Sequence, residues 1–213
     1  MLMKARKGQN RWSGQVWLMA VSLWLGSCAN FVQTDVETEW VKLQQGDYEL
    51  DPRHATLLFK VNHMGLSTFV GRFNQFDASL SFDPGDPAAT TLDAVVYTTS
   101  LDVNDADFAE TLKGSSWFDC DQFPHARFRT TNVVFLGEGK VRFSGDLTLL
   151  GTTAPIILDG VFNGGAFNRL TGRYTLGFSA SGTIQRSLFG MDKYVPLVGD
   201  AVEVEVYAEF LRR

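Results

Sequence analysis

Cysteine is nearly absent from this chain of 213 residues, with Cys28 and Cys120 the only two. That excludes a disulfide-stapled scaffold and any zinc site built on paired cysteines. Histidine is scarce as well: His54, His63 and His125. On a straight strand rising about 3.3 Å per residue, His54 and His63 would stand roughly 30 Å apart on opposite faces, so they make no metal pair. Also missing are the HExxH helix, the G-x-S-x-G elbow, a Walker loop and a dinucleotide fingerprint. No metal, no cofactor and no enzymatic activity are therefore expected. Carboxylate pairs such as Asp105 and Asp107 sit in polar, loop-like sequence and read as solvated surface. Cys120, flanked by Asp119 and Asp121, reads as an inert thiol, because neighbouring negative charge disfavours the thiolate. Positive charge is short too. Beyond residue 27 there are 15 basic and 24 acidic residues, a net of −9. Nucleic acid, whose binding rests on phosphate neutralisation, is not an expected partner. Helical periodicity between strands is lacking, which excludes a parallel α/β architecture.

What the chain does have begins with an address. Lys4, Arg6, Lys7 and Arg11 precede the apolar run Val16–Leu25, with no acidic residue among the first 27. A positive start, a short apolar run and small residues make an export signal, and the run is short for a transmembrane span. It ends in Leu25-Gly26-Ser27-Cys28, which resembles the lipobox of bacterial lipoproteins. In that family the Cys is acylated and the peptide is cut before it. The plainer alternative is an uncleaved signal anchor with an incidental Cys. The lipobox reading divides the chain into a signal peptide (1–27), a lipid-anchored tether (28–46) and a folded domain (47–213). The tether is polar and aperiodic, ending in Gln44-Gln45-Gly46.

From Tyr48 onward the pattern alternates with period two and shows no internal repeat. Leu57, Phe59, Val61 and His63 share one face, followed by Phe69, Gly71 and Phe73. The parity then flips, and Phe76, Ala78, Leu80 and Phe82 carry the apolar set. That flip predicts a bulge or sharp bend near Asn74-Gln75. Asp83-Pro84-Gly85-Asp86-Pro87 is a turn. Further strands run over Leu92–Thr99, Ala126–Phe135, Val141–Leu149, Ile156–Phe162, Tyr174–Ile184 and Val202–Phe210. A short helix is predicted over Ala106–Lys113, capped by Asn104 or Asp105, with Phe108 and Leu112 on one face. About eight or nine strands, apolar on one side, fit an all-β domain: a closed meander or a two-sheet sandwich.

Seven segments in order carry a resemblance. Tyr48–Ala55 leads into Phe59-Lys60-Val61-Asn62-His63-Met64-Gly65; Gly71–Phe76 and Leu112-Lys113 with Trp117-Phe118-Asp119 follow. Phe123–Phe128, Gly145–Gly151 with Pro155, Arg186–Met191 and Val198–Val202 complete it. Together they are similar to the YceI-like family over about Tyr48–Phe210. The resemblance implies an antiparallel lipocalin-like barrel of about eight strands, with a short helical segment near the mouth and an elongated apolar cavity. It implies export to the periplasm and binding of long isoprenoid chains, polyprenyl or quinone-type. Two departures stand out. Most members carry a plain cleavable signal, and the usual hydroxyl residue after the first His is Ala55 here.

On pattern alone the inward Phe residues read as packed core. With the resemblance they read as a lumen lined by Phe59, Phe69, Phe73, Phe128, Phe143 and Phe178. Arg186 shares parity with Tyr174, Leu176, Phe178, Ala180 and Ile184, so its guanidinium is expected inside. There it would meet a ligand head group, or pair with an acid such as Asp51 or Asp200. His63, on the Phe59 face, is either a head-group donor near the mouth or a satisfied turn histidine. His54 is expected to cap or pack locally. The expected function is non-enzymatic binding or carriage of a long-chain isoprenoid lipid in the bacterial cell envelope. The expected site is the periplasmic face, anchored through acylated Cys28, at the outer rather than the inner membrane because Ala29 is not Asp. Two alternatives remain: a filled-barrel envelope stress or scaffold protein with a protein partner, and a lipid head-group enzyme.

Overall fold

The computed structural model describes residues 35–213. The expected signal peptide (1–27) and the expected acylation site at Cys28 lie outside the described residues. Ten strands run in chain order: β1 (Gly46–His63), β2 (Ser67–Phe73), β3 (Phe76–Phe82), β4 (Thr91–Tyr97), β5 (Leu101–Asp102), β6 (His125–Gly137), β7 (Lys140–Leu149), β8 (Thr152–Asn168), β9 (Arg173–Gln185) and β10 (Val198–Arg212). Among the described residues one α-helix, α1 (Ala106–Lys113), lies between β5 and β6. Every pairing is antiparallel, and β10 returns to pair with β1. β2 and β3 act as one bent stave, because β2 pairs with the C-terminal half of β1 and β3 with its N-terminal residues. With the two-residue β5 as a stub on β2, the sheet is a closed barrel of eight staves. Closure leaves no long open edge.

The parity flip near Asn74-Gln75 marks a real irregularity. The chain leaves strand geometry at Asn74 and Gln75, whose amides go to the Ser100 carbonyl and hydroxyl. A second register shift, between Thr130 and Asn132 of β6, moves the inward set from Phe128 to Val133. Three hairpins turn on an x-Gly pair with both residues at positive φ: Met64-Gly65, Glu138-Gly139 and Leu150-Gly151. Such pairs suit the twist of tight hairpins.

The barrel has two unlike ends. The strands run so that residues 63–67, 149–152 and 185–198 surround one end, the mouth, and residues 82–91, 137–140 and 168–173 the other. The far end is solid: Tyr48, Phe82, Val133, Val141 and Leu176 are almost wholly buried. Trp40 plugs it, with its ring 3.6 Å from Phe135 and 4.8 Å from Phe162. Part of the stretch expected as a tether (28–46) instead packs on this end. Glu37 and Gly165 exchange backbone hydrogen bonds at 2.8 Å, Leu43 is buried, and the Tyr48 hydroxyl donates to the Gln44 carbonyl. A short polar run can still dock when it carries a Trp and a Leu whose burial offsets the cost of ordering it.

α1 is capped by the Asp105 carboxylate, which accepts from the Phe108 amide. Ala109 and Leu112 join Leu101 and Val103 in a small second core, packed on Phe59, Phe69, Phe73, Trp117 and Phe118. This segment covers β2, whose second edge pairs only with β5, over Arg72 and Phe73.

Gly145 shows how tightly neighbouring staves meet. A Cβ there would stand 2.4 Å from the Arg129 carbonyl of β6 and 2.7 Å from the Phe128 ring. Since backbone must move to admit it, Gly145→Ala is expected to lose about 2–3 kcal/mol of stability. Denaturant unfolding should show a lowered midpoint at unchanged slope.

Candidate functional site

Inside the mouth half lies an apolar cavity of about 580 Å³. That is within the range of small-molecule sites. Its existence follows from a gradient along each stave. On β10 the inward Val202, Val204 and Val206 are only half-buried, whereas Ala208 and Phe210 are buried. In a closed barrel an inward side chain keeps exposure only where nothing fills the space before it. On this side the floor is closed by rings: Phe143 and Phe210 meet Phe178 edge-on, and Phe162 meets it at a tilt.

All six Phe residues expected in the lumen, Phe59, Phe69, Phe73, Phe128, Phe143 and Phe178, line this cavity. Phe128, Phe143 and Phe178 are buried and form the floor, while Phe59, Phe69 and Phe73 sit higher, under α1. His63 also lines it, exposed at the β1–β2 turn. The sequence reading missed the wall that α1 and its following loop supply: Phe108, Leu112, Trp117 and Phe118, joined by Met191 and Tyr194. The available signs were Phe108 and Leu112 on one helix face and the helical segment that the resemblance implies near the mouth.

Arg186 is inward and buried, as its parity requires, but the ion pair with Asp51 or Asp200 is replaced by another arrangement. Nε donates to the Gly199 carbonyl at 2.8 Å and Nη1 to Met191 at 2.6 Å. Nη2 donates to Lys193 at 3.0 Å and Val198 at 2.9 Å. Four of its five donors are thus engaged by backbone carbonyls, leaving little for a ligand head. Burial pulls its pKa below the ordinary guanidinium value, opposed by Asp200 and Asp192. Asp200 instead accepts from the Ser187 amide and hydroxyl. The guanidinium therefore holds the β9–β10 connection in shape at the mouth.

Asp51, His54 and Glu209 bring ligand-type atoms within 4.8 Å of one another outside the cavity. Local structure accounts for this. β1 takes five steps from Leu50 to Ala55 while β10 takes two, from Phe210 to Ala208, and the Asp51 carboxylate ties the bulge. It accepts from the Arg53 amide at 3.0 Å and from His54 Nδ1 at 2.9 Å. Burial pushes the Asp51 carboxyl upward, yet the bonds from His54 and Arg53 outweigh it and the net shift is downward. The bond to Asp51, with Glu209 adding, raises the His54 pKa. Cys120 is buried, and burial, with smaller contributions from Asp121 and Asp119, raises its pKa.

A lowered carboxylate contributes stability above its unfolded pKa and loses it as pH falls; a raised imidazole contributes below its unfolded pKa and loses it as pH rises through the folded one. The clamp is therefore strongest between about pH 5 and 6.5. The stability gap between wild type and His54→Ala, read from urea unfolding across pH, should be widest there and narrow on raising the pH. A gap that widens with pH would rule out a charged imidazole.

Comparison with known proteins agrees with this architecture. Residues 48–210 match the YceI-like domain. A UPF0312 protein of Vibrio cholerae is 34% identical over 169 residues, covering 78% of this chain and 88% of that protein. BcnA of Burkholderia cenocepacia superposes with a TM-score of 0.68 at 22% identity, over 75% of this chain and 98% of that one. A polyisoprenoid binding domain from Saccharophagus degradans superposes at 0.58 with 11% identity, over 80% of this chain and the whole of the other. With the barrel closed, its family segments in order and this match over the whole folded domain, the chain belongs to the YceI-like family.

Proposed function

We propose that this protein binds or carries a long-chain isoprenoid or a related amphiphile in the bacterial cell envelope, without catalysing a reaction on it. The observation that carries the proposal is the unfilled apolar lumen of about 580 Å³, open at one end and plugged at the other. A tube of this kind suits a tail. At roughly 0.8 kcal/mol per buried methylene, a long chain gains affinity without any polar contact. The Saccharophagus neighbour, described as a polyisoprenoid binding domain, supports the same ligand class. An unfilled lumen speaks against the scaffold alternative, which calls for a solid barrel. The enzyme alternative finds little support in a wall whose one buried cation, Arg186, is engaged by backbone carbonyls.

Acylation at Cys28, in a chain tethered to the membrane, is part of this reading.

Two experiments test the proposal. Full-length protein purified gently from cells and examined by native mass spectrometry with organic extraction should carry a polyprenyl or quinone-type mass at near one per chain. Ala180→Trp, which fills the lumen from β9, should cut that occupancy below about a tenth while the protein still folds; undiminished occupancy would place the ligand elsewhere. Cys28→Ser should move the protein from membranes into the soluble exported fraction. A variant that stays membrane-bound would refute the lipid anchor.

A further inference from the structure

The cavity wall is apolar, so it selects a chain but not the group at its end. That group must sit at the mouth, where Lys193 is placed in the β9–β10 connection. Its Nζ lies 5.5 Å from the centroid of the Trp117 ring and 5.3 Å from that of Tyr194. The two rings, 6.0 Å apart, belong to the cavity wall. The Lys193 carbonyl accepts from Arg186, whose other bonds fix Met191, Val198 and Gly199, so a buried guanidinium positions the loop that carries this ammonium.

Lys193 differs from the other four lysines of the described residues. Lys42 pairs with Glu39, Lys60 with Glu205, Lys113 with Glu110 and Lys140 with Glu138. No described carboxylate pairs with Lys193, whose ammonium instead meets the two rings. Aromatic faces attract a cation through their quadrupole but carry no net charge, so they hold the ammonium without neutralising it. A cation held in place, unpaired, at the exit of an apolar tube is suited to an anion that leaves the tube at that point.

We propose that Lys193 is the head-group contact of this cavity. The site then prefers amphiphiles whose chain ends in an anion, phosphate or carboxylate, over the same chain ending in a hydroxyl. This rests on reading the cavity as the site of a long apolar chain, and the test separates the two. Competition binding to the full chain in neutral detergent compares a polyprenyl monophosphate with the polyprenol of equal length, and a long-chain fatty acid with its alcohol. At low salt at least one anionic member should bind about tenfold more tightly than its alcohol, and added salt should shrink that ratio. The pair that responds tells phosphate from carboxylate. Lys193→Gln should bring the ratio to about one without weakening the alcohols, and Lys193→Arg should keep it. An undiminished ratio in Lys193→Gln, or equal binding of acid and alcohol by the wild type in both pairs, overturns the proposal and leaves chain binding intact. Failure of all four ligands to bind overturns the cavity reading, and this proposal with it.

Discussion

The pairing of β1 with β10 is the contact on which the remaining structure depends. It joins the first and last strands of the domain, placing Leu57, Phe59 and Val61 opposite Val206, Val204 and Val202. On the outer face Lys60 bonds Glu205 at 2.6 Å, a contact worth little by itself at a half-exposed site. Closure turns a sheet with one apolar face into a tube with an apolar inside. The inward residues then no longer need a second sheet or a layer of helices to cover them. It also fixes the bore, because stave number and tilt set the diameter whatever side chains happen to point inward.

A fixed bore explains why one alternation produces two different interiors. At the far end large rings and branched residues from opposite staves meet, and Trp40 enters from outside the strand pattern to finish the packing. At the mouth end β4 and β10 present Ala94, Val96, Val202 and Val204, which do not reach across. Space remains where the side chains are short, and the rings of Phe128, Phe143 and Phe178 form its floor. Beyond β2 the wall is not a strand at all. It comes from α1 and the loop after it, since Phe73 and Leu101 mark the point where the sheet has no further partner on that side.

The mouth divides two tasks between two cations. Arg186 is buried and satisfied by carbonyl dipoles, which makes it a rigid strut in the connection it helps to fold. Lys193 rides on that strut and faces two rings of the cavity wall. The same logic operates at Asp51, where a buried carboxylate ties a bulge by accepting from Arg53 and His54. In both places a charged side chain is engaged by local backbone or a near neighbour, and its task is to hold an irregular piece of chain within an otherwise regular barrel.

Much of this was legible in the sequence because a strand reports its inward face with period two. The strand series, the break at Asn74-Gln75, and the inward direction of the six Phe residues and of Arg186 all follow from that periodicity, and the short helix follows from its cap and the spacing of Phe108 and Leu112; the register shift near Thr130 does not. Parity says which way a side chain points but not what stands across the barrel from it. The partner of Arg186, the length of chain that packs beneath the floor from Glu37 to Gln45, the wall from Trp117 and Tyr194, and the place of Lys193 were therefore decided only by the tertiary structure. Each depends on segments distant in sequence meeting at a separation that closure, tilt and bore impose, and no local pattern encodes that separation.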